Sequence, residues 1–335
     1  MITDAFDRPL RDLRISVTDR CNFRCTYCMP AETFGEKYQF MKNHQLLSFE
    51  EIVRLTRLIV QLGAVKLRLT GGEPLVRQEI EKLVAYLAEI QGVHDLAMTT
   101  NGVLLPPKAA MLRDAGLKRV TISLDTLDND IFRRMNGGKA DVEDVLKGIR
   151  AAEVAGFSPI KINAVVQRGV NDHTIVDLAR FCKDNGYVLR FIEYMDVGTR
   201  NGWVMDDVVT ADEIIQRIDA VLPIEPLPRQ YASETSLRFR YRDGGGELGI
   251  IASVTKPFCG ACSRLRMSPE GQLYTCLFAT HGTDLKTPLR GGATDDELLD
   301  IIAHMWKKRS DRYSEVRSTQ TTNDRDKIEM YYIGG

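Results

Sequence analysis

Apolar and polar residues alternate along Leu13-Arg-Ile-Ser-Val17, and that two-residue period predicts a strand. The same period returns in Val65-Lys-Leu-Arg-Leu-Thr70, Leu96-Ala-Met-Thr-Thr100, Val120-Thr-Ile-Ser-Leu124, Ile160-Lys-Ile-Asn-Ala-Val-Val166 and Val188-Leu-Arg-Phe-Ile192. Between these runs the period lengthens. Ile52, Leu55, Ile59 and Leu62 recur at helical spacing behind a Ser48-Phe-Glu-Glu51 capping box, and Gly63 ends that helix. Further helices are expected up to about residue 90, after Pro106-Pro107, up to about residue 155 and over about 174–185.

Six strands alternating with helices predict a parallel sheet with right-handed crossovers. A polar residue stands at the C-terminal end of each strand: Asp19, Glu73, Asn101, Asp125, Asn163 and Glu193. In α/β barrels that edge carries the chemistry, although any one such residue can be a plain turn former. The expectation is an α/β protein whose residues 1–200 form an incomplete (β/α)6 TIM-like barrel. After about residue 200 the pattern changes. Thr210-Ala-Asp-Glu213 fits a helix start, Pro223, Pro226 and Pro228 mark a loop, and Phe239-Arg-Tyr241 and Leu248-Gly-Ile-Ile-Ala252 read as short strands around Gly244-Gly245-Gly246. Asp295 to Trp306 reads as a final helix. Residues 201–335 are taken as a C-terminal extension.

Composition narrows the partners. The net charge of −1 gives no global attraction to nucleic acid or to an anionic membrane, so a polyanionic substrate would need a local basic patch. No stretch is long and apolar enough to span a bilayer, and the polar start Met-Ile-Thr-Asp-Ala-Phe-Asp-Arg lacks a signal-peptide core. A cytoplasmic protein is expected, with thiols that serve as metal ligands more than as disulfides. The seven cysteines fall as three, one and three. Cys182, alone on a predicted helix, reads as a small buried side chain.

The first three are Cys21, Cys25 and Cys28, at C-x₃-C-x₂-C spacing on the loop that leaves the first strand. Three thiolates there could hold three corners of a [4Fe–4S] cluster, and the nearby sequence offers no fourth, which leaves one iron open. A zinc loop is the alternative, although structural zinc sites are usually four-coordinate. Cys259, Cys262 and Cys276 form a second set at C-x₂-C-x₁₃-C spacing. It reads as a second [4Fe–4S] cluster or as a zinc site completed by a ligand such as His281. Arg264 and Arg266 lie between these cysteines, and two guanidiniums beside a cluster call for an anion, for which phosphate is well shaped.

The first thiol set, with Tyr27 before its last member, resembles the signature of the radical S-adenosylmethionine family. Gly71-Gly72-Glu73-Pro74, at the end of the second strand, resembles that family's amino-group-binding motif. The two thiol sets together, with Arg264 and Arg266, closely resemble the GTP 3′,8-cyclase family of molybdenum-cofactor biosynthesis, from Arg14 to Gly334-Gly335. The resemblance implies two [4Fe–4S] clusters, S-adenosyl-L-methionine and GTP. It implies that a 5′-deoxyadenosyl radical takes the ribose 3′ hydrogen and that the carbon radical attacks C8 of the base, giving (8S)-3′,8-cyclo-7,8-dihydroguanosine 5′-triphosphate. Cys21, Cys25, Cys28, Cys259, Cys262 and Cys276 are then the metal ligands. Tyr27, Gly72, Ser123 and Met195 match S-adenosylmethionine contacts. Arg14, Arg68, Thr99, Lys161, Arg264, Leu265 and Arg266 match GTP contacts. Arg264, Arg266, Gly334 and Gly335 match the catalytic positions, the two glycines as a flexible tip docked through Met330-Tyr-Tyr-Ile333. The resemblance further implies a reducing electron donor of flavodoxin type and hand-over to a cyclic pyranopterin monophosphate synthase, and it allows a homodimer. Two rival readings are a peptide-modifying radical enzyme and a non-catalytic metal-binding protein; the first tends to carry more C-terminal cysteines than the three found here.

Overall fold

The computed structural model describes residues 1–317 and 327–334. Six parallel strands follow one another in space in the order of the chain: β1 (Asp12–Ser16), β2 (Lys66–Thr70), β3 (Asp95–Thr100), β4 (Arg119–Ser123), β5 (Lys161–Val166) and β6 (Val188–Glu193). The connecting helices are α1 (Phe49–Gln61), α2 (Ile80–Ala88), α3 (Ala109–Asp114), α4 (Asn129–Met135), α5 (Val142–Val154) and α6 (Ile175–Asp184). Ser48 caps α1 as expected: its Oγ accepts from Glu51 N and Glu51 Oε2 accepts from Ser48 N. The apolar stripe of α1 shares one buried core with Leu13, Ile15, Leu67 and Leu69 of the sheet, and Cys182 is fully buried in the same core.

Alternation decides what each face of the sheet carries. Leu13, Ile15, Leu67, Leu69, Leu96, Ile122, Ile162 and Leu189 are buried under the helices. The intervening positions include Asp12, Arg14, Lys66, Arg68, Thr99, Arg119, Lys161, Asn163 and Arg190, and they are only partly buried. The concave face is therefore polar and largely cationic, and it forms the wall of a cavity.

The sheet is twelve-stranded and does not close, in keeping with an incomplete barrel. After α7 (Ala211–Asp219) come β7 (Ile224–Leu227), β8 (Leu237–Tyr241) and β9 (Glu247–Ile251), which join as an antiparallel run, with β9 parallel to β6. Then β10 (Arg264–Met267), β11 (Gln272–Tyr274) and β12 (Thr283–Asp284) extend the opposite edge, with β10 parallel to β1. The residues after 200 thus prolong the sheet at both ends.

Two expectations are corrected here. The stretch with Pro223, Pro226 and Pro228 contains a strand, β7, with Pro226 inside it. β7 is the outermost strand, so the missing proline N–H removes no ladder bond on its solvent side. The helix expected to be last, α9 (Asp295–Lys307), follows the short α8 (Lys286–Arg290) and precedes two further short helices, α10 (Tyr313–Val316) and α11 (Met330–Ile333). Four residues are too few to show a helical period. Among the described residues no helix is long and apolar enough to cross a membrane.

Candidate active site

The loop leaving β1 carries Cys21, Cys25 and Cys28, all half-buried and none in a disulfide. Arg24 holds the loop's shape, donating to the carbonyls of Cys21, Phe23 and Phe34. Burial pushes the Cys21 thiol up to about 12, with Glu73 acting the same way. Burial also raises Cys25, as do Asp125 and then the other two thiols, so the three sulfurs lie close enough to repel one another as thiolates. A cationic group bound among them would remove that penalty, which fits an iron–sulfur cluster held by three ligands. Among the described residues, no three His, Cys, Asp or Glu side chains gather around a point suited to a single metal ion, and His281 is exposed.

Gly71-Gly72-Glu73 closes onto the base of this loop. Gly72 N donates to Thr18 O, Glu73 N donates to Arg20 O, and a Cβ on Gly72 would collide with the Arg20 carbonyl. The Glu73 carboxylate is buried and accepts from Leu75 N, Thr100 Oγ1 and Asn101 N. Burial raises it to about 7. Its lone pairs are thus largely used within the protein. Tyr27 Oη donates to Asp125 Oδ2 at 2.9 Å, which joins the thiol loop to the end of β4 beside Ser123. Met195 lies on the loop after β6 and lines the cavity.

Cys259, Cys262 and Cys276 of the second set line the cavity. Cys259 begins a short turn, Cys262 N donates to Cys259 O, and Cys276 follows β11. Arg264 points Nε and Nη2 at Cys262 Sγ, at 3.3 and 3.1 Å. Burial would raise the Cys262 thiol, but Arg264 and Arg309 outweigh it and hold it at about 6, so the thiolate is the ordinary form. Burial, reinforced by Asp311, pushes Cys276 up to about 11. Three free thiols with no fourth described nearby again suit a cluster with one open iron. A buried ion network supports this turn from behind. Asp4 pairs with Arg8 at 2.6 Å and Arg309 at 3.3 Å, and those guanidiniums donate to the carbonyls of Cys259 and Cys262.

Between the two sets runs a row of cations fixed by strand register. Arg266, Arg14 and Arg68 are neighbours across β10, β1 and β2. Arg68 Nη1 donates to Thr99 Oγ1 at 3.0 Å and Thr121 Oγ1 at 3.2 Å, two neutral acceptors. Burial lowers Arg14, and Arg266, Arg264 and Arg68 lower it further. Burial lowers Lys161 to about 8, followed by Arg190, Arg119 and Arg68. Such mutual repulsion marks a site shaped for a polyanion.

Sequence reasoning missed Lys66 and Arg190, which face the same cavity. The strand alternation that exposes Arg68 also exposes both, so the signal was present. Leu265 differs from its neighbours: it is fully buried in the core opposite Arg264 and Arg266, leaving only its backbone toward the cavity side. Glu193 is also turned away, its carboxylate accepting from Ala211 N, Val254 N and Thr255 N. Gly334 reaches Arg266, whose Nη1 donates to its carbonyl. Gly335 lies outside the described residues.

A partial parallel barrel with a three-thiol loop after its first strand defines a radical S-adenosylmethionine enzyme. Residues 15–182 match the Radical SAM superfamily and residues 187–315 match Molybdenum Cofactor Synthesis C. Among solved structures, Streptococcus suis SuiB bound to S-adenosylmethionine superposes with a TM-score of 0.61 at 16% identity, over 95% of this chain and 69% of that one. Methylornithine synthase (PylB) superposes with a TM-score of 0.54 at 16% identity, over 93% and 86%. Both likenesses concern the fold. The GTP 3′,8-cyclase of Acidothermus cellulolyticus is 52% identical over 100% of this chain and 99% of its own. Those of Xanthomonas axonopodis pv. citri and Staphylococcus haemolyticus are 48% and 46% identical, each over at least 98% of both chains. The chain belongs to the GTP 3′,8-cyclase family.

Proposed function

We propose that this protein converts GTP to (8S)-3′,8-cyclo-7,8-dihydroguanosine 5′-triphosphate, the first step of molybdenum-cofactor biosynthesis, using two [4Fe–4S] clusters and S-adenosyl-L-methionine. The observation that carries the reading is the row of Arg266, Arg14 and Arg68, continued by Lys161 and Arg190, next to a second three-thiol set. A metal-binding scaffold has no use for that many repelling buried cations, whereas a nucleoside triphosphate neutralises them.

Cys21, Cys25 and Cys28 would hold one cluster, and Cys259, Cys262 and Cys276 the other. When bound, the first would supply the electron for reductive cleavage of S-adenosylmethionine, and the second would supply a Lewis-acidic iron for the base. The chain's own residues then position the reactants. Tyr27, Gly72, Ser123 and Met195 would contact S-adenosylmethionine. Arg14, Arg68, Thr99 and Lys161 would take the GTP, joined by Lys66, Arg190 and the segment Arg264-Leu265-Arg266, with Leu265 contributing backbone alone. Such placement converts an encounter into a fixed geometry, where much of the acceleration originates. Residues 201–335 are read as the extension that supplies the second cluster, the base contacts and the Gly334-Gly335 tip. A cytoplasmic location, a flavodoxin-like electron donor, hand-over to a cyclic pyranopterin monophosphate synthase and a homodimer complete the reading.

The test is anaerobic reconstitution followed by reaction with dithionite, S-adenosylmethionine and GTP. About eight irons per chain, from two four-iron clusters, are expected together with 5′-deoxyadenosine and the cyclised nucleotide. Bound zinc, or 5′-deoxyadenosine that never leads to cyclised nucleotide, would overturn the reading.

A further inference from the structure

The loop 228–236, between β7 and β8, has one side on solvent and the other on the cavity. Tyr231, Ser233 and Thr235 line the cavity, while Tyr231 keeps 39% of its surface exposed. The loop is braced within itself. Gln230 N donates to Glu234 Oε2 at 2.8 Å, and Glu234 N donates to Tyr231 O at 3.1 Å. Arg238 gathers its two ends, donating through Nη1 to Pro228 O at 3.0 Å and pairing through Nε with Glu234 at 3.8 Å. β7 is the outermost strand of the sheet, so this hairpin is held from one side. A link to the barrel is the Tyr231 ring, whose centroid lies 3.7 Å from Lys66 Nζ. Lys66 opens β2, and Asp12 and Asp95 beside it open β1 and β3. The contact therefore lies at the N-terminal end of the barrel strands, whereas the first thiol loop leaves the C-terminal end of β1.

We propose that loop 228–236 is the door through which the nucleotide enters and leaves the cavity, and that Tyr231 latches it shut on Lys66. The inference rests on the proposed function, since it takes the row of cations as the nucleotide's seat. The loop's internal bonds let it swing as one piece, and a cation–π contact at a partly exposed site is weak enough to open and re-form. An ammonium has three donors, so Lys66 can donate to a phosphate on one side and keep the ring over the other. The latch thus closes over bound nucleotide as well as over the empty cavity. Such a door slows entry and exit alike and moves the dissociation constant little. A residue that merely touched the nucleotide would act on exit alone. Tyr231 is a positioning residue in this scheme and touches no reacting atom.

The test is rapid filtration with radiolabelled GTP on the reconstituted full-length protein, without S-adenosylmethionine so that no turnover occurs. Association and dissociation rate constants are read separately. Tyr231→Leu keeps an apolar side chain and removes the π face, Tyr231→Phe keeps that face, and Tyr231→Trp offers the ring that holds a cation best. The leucine variant is expected to raise both rate constants by about three- to tenfold, the factor that a partly exposed cation–π contact is worth. The phenylalanine variant should keep the parental rates, and the tryptophan variant should lower both. Unchanged rates in the leucine variant overturn the proposal. A rise in dissociation alone also overturns it, because Tyr231 would then be an ordinary substrate contact. Failure of the reconstituted parent to bind GTP would instead defeat the functional reading.

Discussion

Lys161 shows how the proposed triphosphate site would draw affinity from a single residue. Burial holds its ammonium down to about 8, with Arg190, Arg119 and Arg68 pushing the same way and Glu234 opposing them. A bound triphosphate reverses the balance, because an adjacent anion favours the charged form. The bound-state value therefore lies above the free-state value. The GTP affinity credited to Lys161 is fully present below about pH 8 and is lost as pH rises through the higher, bound-state value. Equilibrium dialysis of GTP against the protein from ~pH 7 upward should show a fall that begins near pH 8 and reaches up to about tenfold per pH unit. Lys161→Arg should flatten that fall, since a guanidinium keeps its proton throughout the range. A parental profile already flat above that pH would count against a role for Lys161 in holding the phosphates.

At the scale of elements, the turn bearing Cys259 and Cys262 has little helix or strand of its own, so its shape is set from outside. Asp4 supplies that support. Its buried carboxylate accepts from Phe6 N at 2.9 Å and Arg8 N at 3.0 Å while pairing with the Arg8 and Arg309 side chains. Removing one partner of a buried ion network leaves uncompensated charge and costs about 3–5 kcal/mol. Asp4→Ala should free the two guanidiniums that grip the carbonyls of Cys259 and Cys262. Iron content should fall from about eight to about four per chain, with S-adenosylmethionine cleavage at the first set retained. A variant that keeps the full iron content would show that the turn holds its shape without this network. The strands and most helices were legible because period and capping are local properties of sequence. β7 was missed because Pro226 argues against a strand unless that strand is known to be an edge, and edge status depends on the assembled sheet. The Asp4–Arg8–Arg309 network was equally hidden, since it joins positions about 300 residues apart in a 335-residue chain. The strand-end acids looked alike in sequence but have different fates: Asp125 binds Tyr27, whereas Glu193 anchors α7 and the loop after β9.

Over the whole molecule, the residues after 200 enclose the barrel from both edges, and residues 327–334 return across its mouth. Lys327 Nζ donates to Asp196 at 2.9 Å and Glu329 accepts from Thr199 N at 3.0 Å, so this segment is tied to the loop that carries Met195. It then passes the first thiol loop at Tyr331 and reaches Arg266 with the carbonyl of Gly334. Gly334 has a φ of 71°, and a Cβ there would run into the Thr70 side chain at the end of β2. Glycine is required on both counts, one conformational and one steric. The same Arg266 guanidinium stands in the cation row proposed to take the nucleotide, so Gly334 touches that row. Deleting Gly334-Gly335 removes no thiol and none of the aromatic contacts of Tyr331 and Tyr332. Cluster content and S-adenosylmethionine cleavage should therefore persist. On the proposed function, what is lost is the contact that fixes Arg266 beside the nucleotide, and small errors of placement weigh heavily on such chemistry. The truncated protein should form 5′-deoxyadenosine with a sharp loss of cyclised nucleotide, both measured in the same reaction. Gly334→Ala should follow it in the same direction, because the methyl group cannot occupy the space beside Thr70. Cyclised product at the full-length level in the truncated protein would mean that the tip has no part in the reaction.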